Sequence, residues 1–418
     1  MPFSAARIPI QPFTISHSEQ EIDDLKTLLR LSPLAIDTYE NRSEHAHKFG
    51  PSKEWMQDMK SSWMEFDWTE AQAKLNEYPH FIADVHDVDP KTGAEDTFKV
   101  HFVGIEHEDP NAVPVVILHG WPGNFYEILP MVRHLQAAGN PPMHIIIPSL
   151  IGYSYSSQAP LDRELGTEGC ARIMNSLMKG LGYDKYVVQG GDLGAFLGRF
   201  MAIRFDECQE IPVNMVPTGP PTILDAVAAP IILSDSDKKG IERGKKFGQE
   251  GSAYSAEHRT RPATIGYAVA SSPIALLAWV GEKFIQWTDN TPSTEHILTW
   301  LSIYWLTKSY PSSIFYYRDP SMRMSIYNRP GANAKDLTKE LQGLYVDKPM
   351  GYTKFPCELM PVPESWAKGT GNLVHFNEHQ VGGHFAATEQ PEALSKDFVD
   401  FLNIVWPTQG KTGMASAL

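Results

Sequence analysis

The sequence predicts an α/β fold in which a mostly parallel sheet carries helices on both faces. Three observations predict it. Continuous apolar runs recur: Val115-Val116-Ile117-Leu118, Met143-His144-Ile145-Ile146-Ile147-Pro148, Tyr186-Val187-Val188 and Val213-Asn214-Met215-Val216. Strands buried on both faces read as such runs, not as alternation. Segments of helical character separate them, and glycines and prolines stand at their carboxyl ends, where open α/β sheets bind ligands.

The most informative local signal is Gly190-Gly191-Asp192-Leu193-Gly194. It follows Tyr186-Val187-Val188 and precedes Ala195-Phe196-Leu197-Gly198-Arg199-Phe200-Met201, which reads as a helix. A strand, a Gly-x-nucleophile-x-Gly turn and a helix make the nucleophile elbow of the α/β-hydrolase fold. Gly190 and Gly194 suit a strained turn from which the helix packs close to the strand. The central residue of such elbows is commonly Ser, whereas here it is Asp192. A carboxylate displaces at a saturated carbon instead of attacking a carbonyl, so the substrate class changes with this one residue.

The elements divide the chain into four segments. Residues 1–97 read as an N-terminal extension outside the sheet. Ser18 caps a helix with Glu21 completing a capping box, and Ile22, Leu25, Leu28 and Leu29 form its apolar stripe. Trp55, Trp63, Phe66, Trp68, Leu75, Tyr78 and Phe81 follow, an aromatic density that requires burial, so this extension should wrap over the rest. Residues 98–217 read as the first part of the core, beginning at Phe98-Lys99-Val100-His101-Phe102-Val103. Residues 218–348 read as an inserted helical lid around Ile274-Ala275-Leu276-Leu277-Ala278-Trp279, Phe284, Trp287, Trp300 and Trp305. Residues 349–418 complete the core with strand signals at Tyr352-Thr353-Lys354-Phe355 and Asn372-Leu373-Val374-His375-Phe376, a helix from Ala393 to Val405, and a tail.

In this fold the triad runs in chain order nucleophile, acid, histidine. Glu358 follows one late strand signal and His384 the next, so Asp192, Glu358 and His384 stand in that order. Singly, each has an ordinary reading: a turn residue, a solvated acid, a satisfied histidine. Order and glycine spacing together favour the triad. His119-Gly120-Trp121-Pro122 follows an apolar strand where the fold supplies one backbone N–H of an oxyanion hole, assigned to Trp121. The second comes from the residue after the nucleophile, Leu193.

On these motifs the chain resembles epoxide hydrolases of the microsomal type, particularly soluble fungal relatives. The matching stretches are Trp63, Phe66-Asp67-Trp68 and Leu75-Asn76-Glu77-Tyr78-Pro79-His80-Phe81, then His119-Gly120-Trp121-Pro122-Gly123 and the elbow. Phe355-Pro356-Cys357-Glu358-Leu359 with Pro363-Glu364-Ser365-Trp366, and Gly382-Gly383-His384-Phe385-Ala386-Ala387, continue the match to the end of the core. The resemblance implies two lid tyrosines acting as acids. Ser252-Ala253-Tyr254-Ser255-Ala256-Glu257-His258 resembles the first motif. Ile314-Phe315-Tyr316-Tyr317-Arg318 resembles the second, with Tyr317 matching because it precedes Arg318 and Tyr316 its adjacent rival. It further implies conversion of hydrophobic aryl or alkyl epoxides plus water to vicinal diols through an ester on Asp192, with no metal or cofactor. Microsomal members carry an N-terminal membrane anchor. This chain begins directly at Phe13-Thr14-Ile15, and a soluble protein is expected.

Composition bounds the alternatives. The formal net charge of −14 argues against nucleic-acid or anionic-membrane partners. No apolar stretch approaches the roughly 18 residues of a membrane span, and residues 1–20 show no secretory pattern. Cys170, Cys208 and Cys357 are scattered, which implies a reducing compartment, taken here as the cytoplasm, and neither disulfides nor a metal site. Ser416-Ala417-Leu418 lacks the central basic residue of a peroxisomal address. The extension and the resemblance together imply a homodimer. Two rivals remain. A haloalkane dehalogenase would share the Asp nucleophile but needs halide donors, usually a Trp beside it, where this chain has Leu193. A non-catalytic binding protein on the same fold should have lost a triad member.

Overall fold

The computed structural model describes residues 3–46, 48–220, 231–319 and 345–406. Its centre is one sheet of nine strands: β1 (Ile10–Phe13), β2 (His80–Val88), β3 (Glu95–Ile105), β4 (Val113–Leu118), β5 (Met143–Pro148), β6 (Tyr186–Gly190), β7 (Cys208–Val213), β8 (Val346–Lys354) and β9 (Gly371–Glu378). Their order across the sheet is β1-β2-β3-β5-β4-β6-β7-β8-β9. From β5 to β9 all neighbours run parallel, while β1, β2 and β3 extend the β5 edge antiparallel. The parallel strands explain the apolar runs, since Val115 to Leu118 and Ile145 to Ile147 are fully buried with helices against both faces.

Two expectations about strands change. The first hundred residues are not wholly outside the sheet, because β1 and β2 join it, and the boundary at residue 97 falls inside β3. These edge strands escaped notice because β2, with burial alternating towards its end, carries Asp84, His86 and Asp87 and lacks an apolar run. The strand expected at Val213–Val216 instead occupies Cys208–Val213. Asn214 to Val216 follow it as the loop at its carboxyl end.

The N-terminal helices Glu19–Leu31, Lys53–Glu65 and Trp68–Leu75 pack on the lid and the core. The Ser18 cap and Glu21 capping box are both present. Leu25 and Leu29 point inward, while Leu28 stays exposed. Trp63 is buried, and its indole N–H donates to the Ser302 hydroxyl at 2.9 Å. Ser32 meets Ser272 at 3.1 Å, and Lys74 reaches Glu295. Each of these joins the extension to a lid helix.

The lid comprises helices Asp235–Lys246, Ala253–Thr260, Pro262–Ala270, Pro273–Gln286 and Thr294–Leu306, then short turns Tyr310–Ser313 and Phe315–Arg318. Residues 346–348, expected in the lid, belong to β8. Parts of the expected lid, and the C-terminal tripeptide, lie outside the described residues. Among the described residues no single helix is long and apolar enough to cross a membrane.

Sheet register positions the site. Leu118 of β4 pairs with Gly190 of β6, and Gly190 pairs with Val213 of β7. Lys354 of β8 pairs with Glu378 of β9. The loops after β4, β6, β8 and β9 therefore emerge along one edge, and they carry Trp121, Asp192, Glu358 and His384 respectively.

Candidate active site

Asp192 opens the helix Asp192–Arg204 directly after β6, with φ of 45°. That left-handed conformation is strained for a residue with a side chain, and such strain concentrates where the surroundings enforce it. The surroundings here are glycines at contact distance. A β-carbon on Gly190 would collide with the backbone of Gly194, and one on Gly194 with the Leu118 carbonyl of β4. The helix therefore starts hard against the sheet and lifts the Asp192 carboxylate above it.

Three groups address that carboxylate. The Trp121 backbone N–H donates to Oδ1 at 2.8 Å, and the Leu193 N–H also addresses it. His384 Nε2 stands 3.5 Å from Oδ2. Burial pushes Asp192 above the usual carboxylate range, and His384 and the two N–H groups oppose that shift.

His384 and Glu358 are both almost fully buried, and His384 Nδ1 lies 2.6 Å from Glu358 Oε1. The same Oε1 accepts the Leu359 N–H at 2.6 Å. The acid and histidine loops are joined by a parallel bridge between Cys357 and Gly383. Arg243 of the lid donates to the carbonyls of Cys357 and Glu358 at 2.8 and 2.7 Å, and the His384 N–H donates to the Trp287 carbonyl at 2.9 Å. Lid closure and triad alignment are thus one set of bonds. Burial opposes charging His384, but Glu358, then Asp192 and Glu127, outweigh it and push the imidazole up to about 9.

Above the carboxylate stands an aromatic wall. The Tyr254 ring stacks on Trp121 with centroids 5.0 Å apart, and Tyr317 meets Trp121 edge-on at 5.9 Å. The two tyrosine hydroxyls interact with each other, and burial, followed by other charges including Asp192, keeps both phenols protonated. Tyr316 turns the other way. Its hydroxyl donates to the Ile151 carbonyl at 2.9 Å. The structure therefore gathers Asp192, Glu358, His384, Tyr254, Tyr317 and the Trp121 and Leu193 amides at one place, and leaves Tyr316 outside it.

Several neighbours were not anticipated. His258, four residues after Tyr254 and so on the same helix face, packs on Trp121 and Tyr317 at 4.6 and 4.8 Å. Burial and then Lys283 hold it down to about 3, so it is neutral. Lys283 is 2% exposed and lies 4.7 Å over the Tyr254 ring. A lone Lys in the apolar helix Pro273–Gln286 was the available signal. Glu127 lies just beyond the Trp121 loop and is pushed up to about 8, chiefly by burial.

Comparison with known proteins identifies the family of the chain. Residues 10–128 match the epoxide hydrolase N-terminus family, and residues 113–226 match the alpha/beta hydrolase fold family. The epoxide hydrolase structure from Aspergillus niger is 41% identical, with TM-score 0.84 over 97% of this chain and 98% of that one. The juvenile hormone epoxide hydrolase of the silkworm Bombyx mori is 28% identical, with TM-score 0.82 over 96% of this chain and 95% of that one. Epoxide hydrolase 1 of Oryctolagus cuniculus is 29% identical over 95% of this chain and 89% of its own length. An elbow carrying Asp in place of Ser, beneath a lid that matches epoxide hydrolases along almost the whole chain, leaves one conclusion: the chain belongs to the epoxide hydrolase family and is a hydrolase acting on epoxides.

Proposed function

We propose that this epoxide hydrolase works through a covalent ester on Asp192, with Tyr254 and Tyr317 as acids and His384, oriented by Glu358, as base. In the first step the tyrosine hydroxyls hydrogen-bond the epoxide oxygen. Oδ1 is held by the Trp121 N–H, so Oδ2 attacks a ring carbon from the opposite side. The ring C–O bond breaks, and its electron pair leaves on oxygen, which takes a proton from a tyrosine. In the second step His384 Nε2 removes a proton from water, and the water oxygen attacks Cγ of Asp192. The oxyanion forms on Oδ1, already facing the Trp121 and Leu193 amides. The bond from Cγ to the alkylated oxygen then breaks, and the proton His384 took from water passes to that oxygen and releases the diol. The second water hydrogen, left on the carboxyl, passes to His384 and restores the resting ion pair with Asp192.

The observation that carries this reading is the double address of one carboxylate, with the Trp121 N–H on Oδ1 at 2.8 Å and His384 Nε2 at 3.5 Å from Oδ2. Electrostatics support the order of steps. At neutral pH the resting His384 is protonated and pairs with ionised Asp192. Ester formation removes the Asp192 charge, one of the causes that raise His384, so the imidazolium gives its proton to the tyrosinate left by the first step and becomes the base. The wall of Trp121, Tyr254, Trp287 and Tyr317 supports hydrophobic aryl or alkyl epoxides as the substrate class. The working form is read as a cytoplasmic homodimer, checked by a solution mass of twice the 46.8 kDa of the chain.

A single turnover of styrene oxide in ¹⁸O-water tests the mechanism. One Asp192 oxygen enters the diol, so first-turnover diol should be unlabelled and the label should appear in the protein at Asp192. Labelled first-turnover diol with unlabelled protein would refute the covalent route.

A further inference from the structure

Glu127 is a buried carboxyl that the steps above do not use. It ends the turn Phe125–Glu127, which follows the Trp121 loop and is capped by the Asn124 side chain accepting the Tyr126 N–H. Its Oε2 lies directly over the α-carbon of Gly123, where any β-carbon would overlap it. Gly123 is itself fixed, since its carbonyl accepts the Tyr304 hydroxyl at 3.0 Å. The Glu127 carbonyl accepts the Thr388 hydroxyl at 3.2 Å, and Thr388 sits in the helical turn Ala386–Glu389 just after His384. Glu127 is thus held between the oxyanion loop and the histidine loop.

Its surroundings are those of the catalytic cluster. The strongest electrostatic neighbours of its carboxyl are His384, Asp192, Glu358 and Glu389, of which only His384 becomes cationic. Asp192 and Glu127 both lie deep in the protein, yet neither is closed off, and both keep intermediate exposure. A water meeting both carboxyls and His384 would have the two to four polar partners that a buried water needs.

We infer that Glu127 positions the hydrolytic water, its carboxyl oxygen accepting one O–H while the other proton passes to His384 Nε2. This rests on the covalent reading. His384 alone fixes one O–H direction and leaves the water free to swing about it. A second acceptor orients the attacking lone pair on Cγ of Asp192, and orientation of this kind is a large part of catalytic rate. Glu127 gains and loses no proton in the step: one water proton goes to His384, and the other stays on the oxygen that joins Cγ. A group that takes up a proton only near pH 8 or below keeps an acceptor oxygen in either state. The missing side chain of Gly123 is what leaves room for it.

Rapid-quench mass spectrometry with styrene oxide, resolving ester formation from ester loss, tests this. Glu127→Ala should form the ester within about threefold of the wild-type rate and lose it about 10- to 100-fold more slowly, on the scale of a positioned proton-transfer partner. Glu127→Gln, whose carbonyl accepts the same bond, should restore ester loss to within about threefold of wild type. Gly123→Ala, which displaces the carboxyl without removing it, should show the same split as Glu127→Ala and serves if that variant does not fold. Ester loss at the wild-type rate in Glu127→Ala and Gly123→Ala overturns the inference. So does equal slowing of both steps, or a Gln variant as slow as Ala. His384→Gln separates the two readings. If it never shows an ester, the covalent mechanism itself fails. If it traps the ester while Glu127→Ala turns over normally, only the role of Glu127 fails.

Discussion

Glu358→Gln removes the charge that holds a proton on His384 and changes almost nothing else in shape. Burial, the largest single cause, lowers His384, and Glu358 is first among the groups that together outweigh it and raise the imidazole to about 9. Without that charge only the weaker support of Asp192 and Glu127 opposes burial, and the imidazole should fall from about 9 toward its ordinary 6.5. A full return would be about 2.5 units, or about 3 kcal/mol of proton affinity at roughly 1.4 kcal/mol per unit. The replacement amide keeps one oxygen for the Leu359 N–H and His384 Nδ1. Its NH2 takes the place of Oε2, a buried atom that the described residues leave without a partner. An orphaned donor there costs about 1–3 kcal/mol of stability, so the variant should fold with a lower melting temperature. The assay is single-turnover ester hydrolysis from pH 5 to 10. In the wild type the rate should rise with pH and level off below about 9, because the ester has already neutralised Asp192. In Glu358→Gln the rise should move to lower pH, by up to about two units, with a plateau lowered about 10- to 100-fold because a less basic, less firmly oriented imidazole is a weaker base. An unshifted profile in a folded variant would refute the claim that Glu358 sets the proton affinity of His384.

The remaining predictions concern the lid and the pH dependence of stability. Tyr254→Phe and Tyr317→Phe should each slow ester formation by about 10²-fold, read by rapid quench. Tyr316→Phe should leave that rate within about threefold but lower stability by about 1–3 kcal/mol, because the Ile151 carbonyl loses its donor. A damaging Tyr316→Phe beside a harmless Tyr317→Phe would reverse the assignment. His384 binds its proton more tightly folded, at about 9, than unfolded, near 6.5, so its stabilising contribution is complete below 6.5 and lost as pH rises through 9. Denaturant unfolding should therefore show wild type losing up to about 3 kcal/mol across that window, and His384→Gln losing less.

What was legible in the sequence follows from what each feature needs locally. The elbow was readable because its turn demands glycines at fixed spacing and a nucleophile between them. The parallel strands were readable because burial on both faces leaves only apolar residues. Glu358 and His384 were readable from chain order. By contrast, β1 and β2 pair antiparallel at an edge, where polar residues alternate and periodicity competes with loop signals. Tyr317 was preferred to Tyr316 only through the family resemblance, because adjacent residues in a turn point apart and it is the Ile151 carbonyl, accepting the Tyr316 hydroxyl, that draws Tyr316 away. His258, Lys283 and Glu127 owe their places to burial against distant elements, and only Lys283, alone in an apolar helix, left a sign of that in the sequence.

Choosing Asp over Ser at the elbow reassigns the oxyanion hole as well as the substrate. In a serine enzyme the amides face a carbonyl that arrives with the substrate. Here the carbonyl belongs to Asp192 itself, so the Trp121 N–H already holds Oδ1 at 2.8 Å in the resting protein. That contact lowers the charge available for attack, and in the first step it works against the nucleophile. Burial works the other way: Asp192 is pushed above the usual carboxylate range despite His384 and both amides, which marks an anion poorly compensated for its lost water and correspondingly ready to react. Under the proposed mechanism the amides become useful in the second step, when Oδ1 takes a full charge and water attacks Cγ. Epoxide opening, helped by ring strain and two phenols, tolerates a partly restrained nucleophile. Ester hydrolysis has no such help and needs the hole, the base and an oriented water together. The geometry is therefore weighted toward the second step, and single variants of Trp121-loop contacts should affect ester loss more than ester formation.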